Sequence, residues 1–213
     1  MGIELLILIY AMFINNQMQP FTKFEQEERA RNISVLIAFG GSRVQDKMEK
    51  LKILINQLKK VYASKNIYVC YNFSTNYPDR NIVDNIMGQD VNYVCIPYPN
   101  KSYAITWTSI NFVKTKYVLV IDDDIEIPFD INIPIDINIQ NERTVNIWAY
   151  MICADKPSNN TSFFEKYLIY CQDIEYRFAG FIKQLASSFK NSTSLTHHGA
   201  ISLYETHILN KIM

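Results

Sequence analysis

Three consecutive carboxylates, Asp122-Asp123-Asp124, are the residues of this chain best placed to do chemistry. They follow directly on Tyr117-Val118-Leu119-Val120-Ile121, an apolar run that reads as a strand buried on both faces, as in the middle of a mostly parallel sheet. Ligands of open α/β sheets gather where strands end at their carboxyl edge. Side chains alternate along an extended backbone, so Asp122 and Asp124 are expected to face one way and Asp123 the other. Two carboxylates on one side repel each other unless a cation lies between them. A hard dication such as Mg²⁺ takes oxygen ligands, commonly one or two carboxylates plus substrate phosphates. The Asp-x-Asp is therefore read as a metal–diphosphate site. Turn or helix-capping roles for the same aspartates stay open from the local sequence. An EF-hand loop starting at Asp122 is excluded, because Ile127 stands where glycine is needed and Ile133 where glutamate is needed.

Other candidate groups are sparser. Phe39-Gly40-Gly41-Ser42-Arg43 follows an apolar strand, and its two glycines could let backbone approach a nucleotide. It is not a P-loop, for no Gly-Lys-Ser/Thr follows. His197, His198 and His207 offer no His-x-x-x-His zinc pattern. The cysteines, Cys70, Cys95, Cys153 and Cys171, form no Cys-x-x-Cys pair and read as reduced core or near-core thiols in a reducing compartment.

The elements that must position these groups follow from periodicity. Strands are expected at 33–38, 66–72, 91–96 and 116–121, and helices at 44–63, 78–87 and 101–113. That alternation predicts an α/β domain with a largely parallel sheet. Isoleucines at every second position from Ile125 to Ile139 carry strand period, with Pro128 and Pro134 marking an edge or a bend. Residues 144–153 read as a further strand, 155–162 as a loop, and 163–189 as a long helix loaded with aromatics. Residues 197–200 form a turn before the closing segment 201–213.

The chain of 213 residues is long enough for one sizeable core, and 48% apolar residues exclude a disordered chain. Lys plus Arg equals Asp plus Glu at 21 each, so no net field draws it to nucleic acid. Residues 1–14 form an apolar segment in which Ile3–Ile14 carries one charge, Glu4, and falls short of the roughly 20 residues that span a bilayer. It is read as the end of a membrane helix, with an interfacial anchor or a helix packed on the domain as alternatives. Residues 15–32 are a polar linker, and the domain proper covers 33–213.

Set in order, these blocks resemble the glycosyltransferase family 2 enzymes of GT-A fold, in particular the membrane-bound branch of chitin, hyaluronan and cellulose synthases. The resemblance covers about 33–212. It is carried by the strand 33–38 with its loop, by Lys101-Ser-Tyr-Ala104 ahead of the metal strand, and by Ile121-Asp122-Asp123-Asp124 with Pro128. Gln172-Asp173-Ile174-Glu175-Tyr176 and Gly199-Ala200-Ile201-Ser202-Leu203-Tyr204 complete it. It implies a GT-A-like domain that moves a sugar, with inversion, from a nucleotide-diphosphate donor such as a UDP-sugar to a glycan acceptor, in the manner of polysaccharide synthesis. Asp124, with Asp122, would hold Mg²⁺ or Mn²⁺. Asp122, Asp123, Lys101, Gly40 and Gly41 would bind the donor, and Gly199, Ala200 and His198 would line the acceptor side. Membrane attachment through the N-terminal segment and a cytosolic catalytic domain are implied as well.

The chain departs from the family in three places. Cys70–Ser74 contains no acidic residue where a uracil contact is usual, and Thr106 and Thr108 stand where Asn and Gly continue the Lys-x-x-Ala element. The family's catalytic-base aspartate and Gln-x-x-Arg-Trp would lie beyond Met213, so 33–213 is expected to be an incomplete domain and no base is assigned. The competing expectations are a non-catalytic nucleotide-sugar-binding domain and a nucleotidyltransferase built on the same aspartates.

Overall fold

The computed structural model describes residues 29–41, 43–127, 147–149, 154, 157–158, 160–188 and 200–212. The chain divides into two compact units, so that the stretch read from sequence as one domain is split: one unit comprises Met1–Pro20 and Ala149–His198. The other unit comprises Phe21–Trp148 and Gly199–Met213.

The larger unit is α/β. Its strands are β1 (Ile33–Gly40), β2 (Ile67–Asn72), β3 (Asn92–Ile96), β4 (Tyr117–Asp122) and β6 (Ile201–Glu205), and the short β5 (Ile147–Ala149) lies beside β6 at the sheet edge. The order is β3-β2-β1-β4-β6-β5. β1 runs parallel to both β2 and β4, β2 runs parallel to β3, and β6 is antiparallel to β4. Helices α1 (Val44–Leu58), α2 (Arg80–Met87) and α3 (Lys101–Phe112) make the crossovers, and α5 (Thr206–Ile212) follows β6.

The order decides where the helices go. From β1 through β2 to β3 the chain moves in one direction across the sheet, then doubles back past β2 and β1 to lay down β4. Right-handed crossovers therefore place α3 on the face opposite α1 and α2. Burial agrees with this. Leu36 and Ala38 of β1 cluster with Cys70, Val94, Ile96, Val118 and Val120, with Ala104 and Ile105 of α3, and with Leu209 of α5. The alternate residues Val35, Ile37 and Phe39 are buried too and belong to the other face. There Leu51, Leu54, Ile55 and Leu58 of α1 are buried, the stripe that the 3.6-residue period of 44–62 predicts. Burying a Leu or Ile side chain of this kind stabilises the fold by about 1.5–3 kcal/mol.

Several boundaries differ from the sequence reading. β1 continues through Gly40, since its register with β2 holds up to the pair Gly40 and Asn72. α1 ends at Leu58 rather than near 63, because the amides of Lys60 and Val61 turn to the carbonyls three residues back, Gln57 and Leu58. β6 is not anticipated by the sequence at all. A five-residue segment has little local signature, and its antiparallel pairing with β4 is a non-local fact. Of the expected strand at 144–153 only 147–149 are among the described residues, and they form β5; the alternating isoleucines beyond Ile127 lie outside the described residues, as does the apolar segment 1–14. Among the described residues no helix is long and apolar enough to cross a membrane.

The second unit contains the long helix α4 (Phe163–Ser188), close to its expected bounds. Its start is a capping box. The Ser162 hydroxyl accepts the Glu165 amide at 3.3 Å, and the Ser162 amide donates back to Glu165 Oε2 at 2.9 Å. Those bonds hold the Glu165 carboxyl below its usual range. In the Gln-x-x-Glu-Tyr block, Gln172 donates to the Tyr176 hydroxyl at 2.7 Å, so the two ends of the block brace each other one turn apart. Asp173 accepts from the Ala154 amide at 3.1 Å and from Arg177 at 2.7 Å. Cys171 is exposed on this helix, contrary to the near-core expectation, as are the large apolar residues Phe164, Tyr167 and Leu168 beside it. Cys70 is buried and Cys95 half-buried, as expected, and Cys153 lies outside the described residues.

Candidate functional site

Because the strand order reverses at β1, with β2 laid down on one side of it and β4 on the other, the carboxyl ends of β1 and β4 flank a topological switch point, the place where open α/β sheets bind ligands. β1 ends there in Gly40-Gly41 and β4 ends there in Asp122, with Asp123 and Asp124 in the turn that follows.

Strand alternation distributes the first two aspartates. In the parallel register Ala38 pairs with Asp122, so Asp122 belongs to the face covered by α3 and Asp123 to the face covered by α1. Each meets a lysine there. Lys101, the first residue of α3, makes an ion pair with Asp122. Lys47, in the first turn of α1, reaches both carboxylate oxygens of Asp123 at 3.1 Å. Asp123 is 6% exposed; burial pushes its carboxyl above the ordinary value, and the Lys47 ammonium offsets part of that shift. The backbone leaves strand geometry after Asp122, with the Ile125 amide turned back to the Asp122 carbonyl at 3.5 Å. The extended alternation expected to carry Asp124 to the side of Asp122 therefore stops one residue early. Asp124 is exposed and has no hydrogen-bond or ion-pair partner among the described residues.

The two glycines have different reasons. A Cβ on Gly40 would lie 2.5 Å from Asn72 Oδ1, and the carbonyl oxygen of Asn72 is also in the way, so β1 and β2 can close at this level only without a side chain. Gly41 has φ +84° with nothing near its missing Cβ; its backbone is open to an approaching ligand. Arg43 adopts the left-handed conformation at the N-cap of α1 and supplies no side-chain cap; its carbonyl accepts the Asp46 amide at 3.1 Å. α3 is capped, by Asn100 accepting the Tyr103 amide at 2.9 Å, which fixes Lys101 at the head of its helix.

The acceptor-side candidates are only partly described. The Ala200 carbonyl accepts the Asp122 amide at 2.8 Å, placing the turn before β6 against the end of β4. His198 and Gly199 lie outside the described residues. Thus Gly40, Gly41, Lys101, Asp122, Asp123, Asp124 and Ala200 all meet the same sheet edge. Lys47 and Asn72 are the participants that sequence reasoning missed. A lysine in the first helical turn after a strand–Gly-Gly loop must overhang the carboxyl edge, which is a usable signal, but its partner 76 residues later is not visible locally. Asn72 occupies the end of β2, is buried, and stands in the segment without an acidic residue.

Among the described residues no three His, Cys, Asp or Glu side chains converge as a ready-made metal cage. A Mg²⁺ or Mn²⁺ site completed by phosphates and water needs fewer, and the partly exposed Asp122 with the exposed Asp124 supplies hard oxygen donors of that kind. No protein-family model matches the chain, and no curated protein shows significant similarity to it.

Proposed function

We propose that the chain is a GT-A-type glycosyltransferase domain that binds a nucleotide-diphosphate sugar, a UDP-sugar foremost, and transfers the sugar to a glycan acceptor at a membrane. The observation that carries this reading is the meeting of an open Gly-Gly backbone loop, a lysine and an acidic turn at the switch point between β1 and β4. Gly41 lets the nucleotide lie close to backbone, and the positive end of the α1 dipole favours negative charge nearby. Asp124 and Asp122 would hold Mg²⁺ or Mn²⁺, which when bound supplies the Lewis acidity that offsets charge on the departing diphosphate. Lys101, beside Asp122 at the same edge, would add positive charge for the phosphates, and Ala200 would form the wall on the acceptor side. The test is release of UDP from a panel of UDP-sugars in the presence of Mn²⁺ and glycan oligomers. Transfer that drops about 100-fold in Asp124→Ala, the loss typical of removing one electrostatic stabiliser, supports the reading. Turnover that is indifferent to both metal and Asp124 contradicts it.

A second reading rests on the lysine pairs themselves. Lys101 and Lys47 already balance Asp122 and Asp123 without any dication, which suits a domain that binds nucleotide sugar without turning it over. UDP binding with no release of UDP from any donor would favour that alternative.

A further inference from the structure

We propose that Lys47 is a positioning residue for the acidic turn, a role that rests on reading that turn as the metal–diphosphate site. After Asp122 the chain has left the sheet, and among the described residues the turn's own backbone contributes the 3.5 Å bond from the Ile125 amide to the Asp122 carbonyl. The firmer anchors come from α1. Lys47 grips both oxygens of Asp123 at 3.1 Å, and Gln57 Oε1 accepts the Ile127 amide at 3.4 Å. These two side chains lie about 15 Å apart along the helix axis and so fix the segment at both ends. Lys47 also answers an electrostatic problem. Three adjacent carboxylates repel one another, and Asp123, the middle one, is buried where an unpaired charge is costly. Without Lys47 the carboxylate of Asp123 would turn toward water, and a rotation of that peptide would carry Asp122 and Asp124 with it. With Lys47 in place, Asp123 is neutralised on the α1 face, while Asp122 meets Lys101 on the opposite face and Asp124 stays exposed. Lys47 need not touch that ligand.

The experiment is calorimetry of UDP with MnCl₂ on the full chain, comparing the wild type with Lys47→Met and Lys47→Arg, with amide hydrogen exchange on each. Lys47→Met is expected to weaken Mn²⁺-dependent UDP binding about 10- to 100-fold, the usual loss when the support behind a metal ligand is removed. Exchange should quicken at 123–127 while the β1 amides stay protected. Lys47→Arg, whose guanidinium also spans two carboxylate oxygens, should restore most of the affinity. Unchanged UDP affinity in Lys47→Met overturns the positioning role alone. So does faster exchange throughout the sheet, which would mark a purely structural ion pair, and so does failure of arginine to restore binding. A wild type that shows no Mn²⁺-dependent UDP binding removes the function proposed above, and the role of Lys47 with it.

Discussion

Gly40 is the residue at which the fold tolerates no side chain. The added methyl group of Gly40→Ala would meet the Asn72 backbone carbonyl, which is held in the parallel ladder and cannot rotate away. We expect a loss of about 1–3 kcal/mol, the usual range for forcing extra atoms into a packed site, read as a lower urea midpoint with unchanged slope. Cys70 makes a prediction about pH. Burial pushes its thiol from an ordinary 9.0 up to about 12, the Thr108 hydroxyl offsetting part of the shift. The fold thus favours the neutral thiol. Its stabilising contribution is complete below about pH 9 and is lost as pH rises from there toward 12. Cys70→Ala should flatten that part of the alkaline stability profile. In the native protein iodoacetamide should label the exposed Cys171 and spare Cys70 until the chain unfolds, which mass spectrometry of labelled peptides reads directly. Asp122 and Asp123 are assignable to opposite faces from the sequence alone, because period-2 alternation is a property of backbone geometry. Asp124 is not, because the strand's last residue depends on where β6 and the Ala200 carbonyl arrive.

Among the elements, α3 links local sequence to the site most directly. Its first residue is the lysine on Asp122, and its N-cap Asn100 sets where that residue begins. Asn100→Ala should cost about 1 kcal/mol of stability, the value of a helix cap, checked by thermal unfolding. By freeing the head of the helix it should also weaken nucleotide binding more than a remote substitution of equal stability cost. The four parallel strands and the three crossover helices are legible in the sequence because apolar runs and 3.6-residue stripes are local signals. Three features are not: β6, which is defined by a partner far along the chain; the Lys47–Asp123 pair, for the same reason; and the early end of α1, set by tightening of its last turn.

At the scale of the molecule, the doubling back of the strand order is what turns scattered residues into a site. Gly40-Gly41, Lys101 and Asp122–Asp124 come from three separate crossover units, and the switch point between β1 and β4 is where they converge. A mostly parallel sheet with helices on both faces is compatible with a Rossmann-like arrangement, and the antiparallel β6 brings Ala200 against the end of β4. The central claim is that the acidic turn binds a diphosphate through a divalent cation, and titration of UDP into the full chain measures it most directly. UDP should bind in MnCl₂ and lose at least about tenfold in affinity both in EDTA and in Asp124→Ala, the scale expected for losing a metal contact. Equal affinity in all three conditions, or no binding in any, would contradict it.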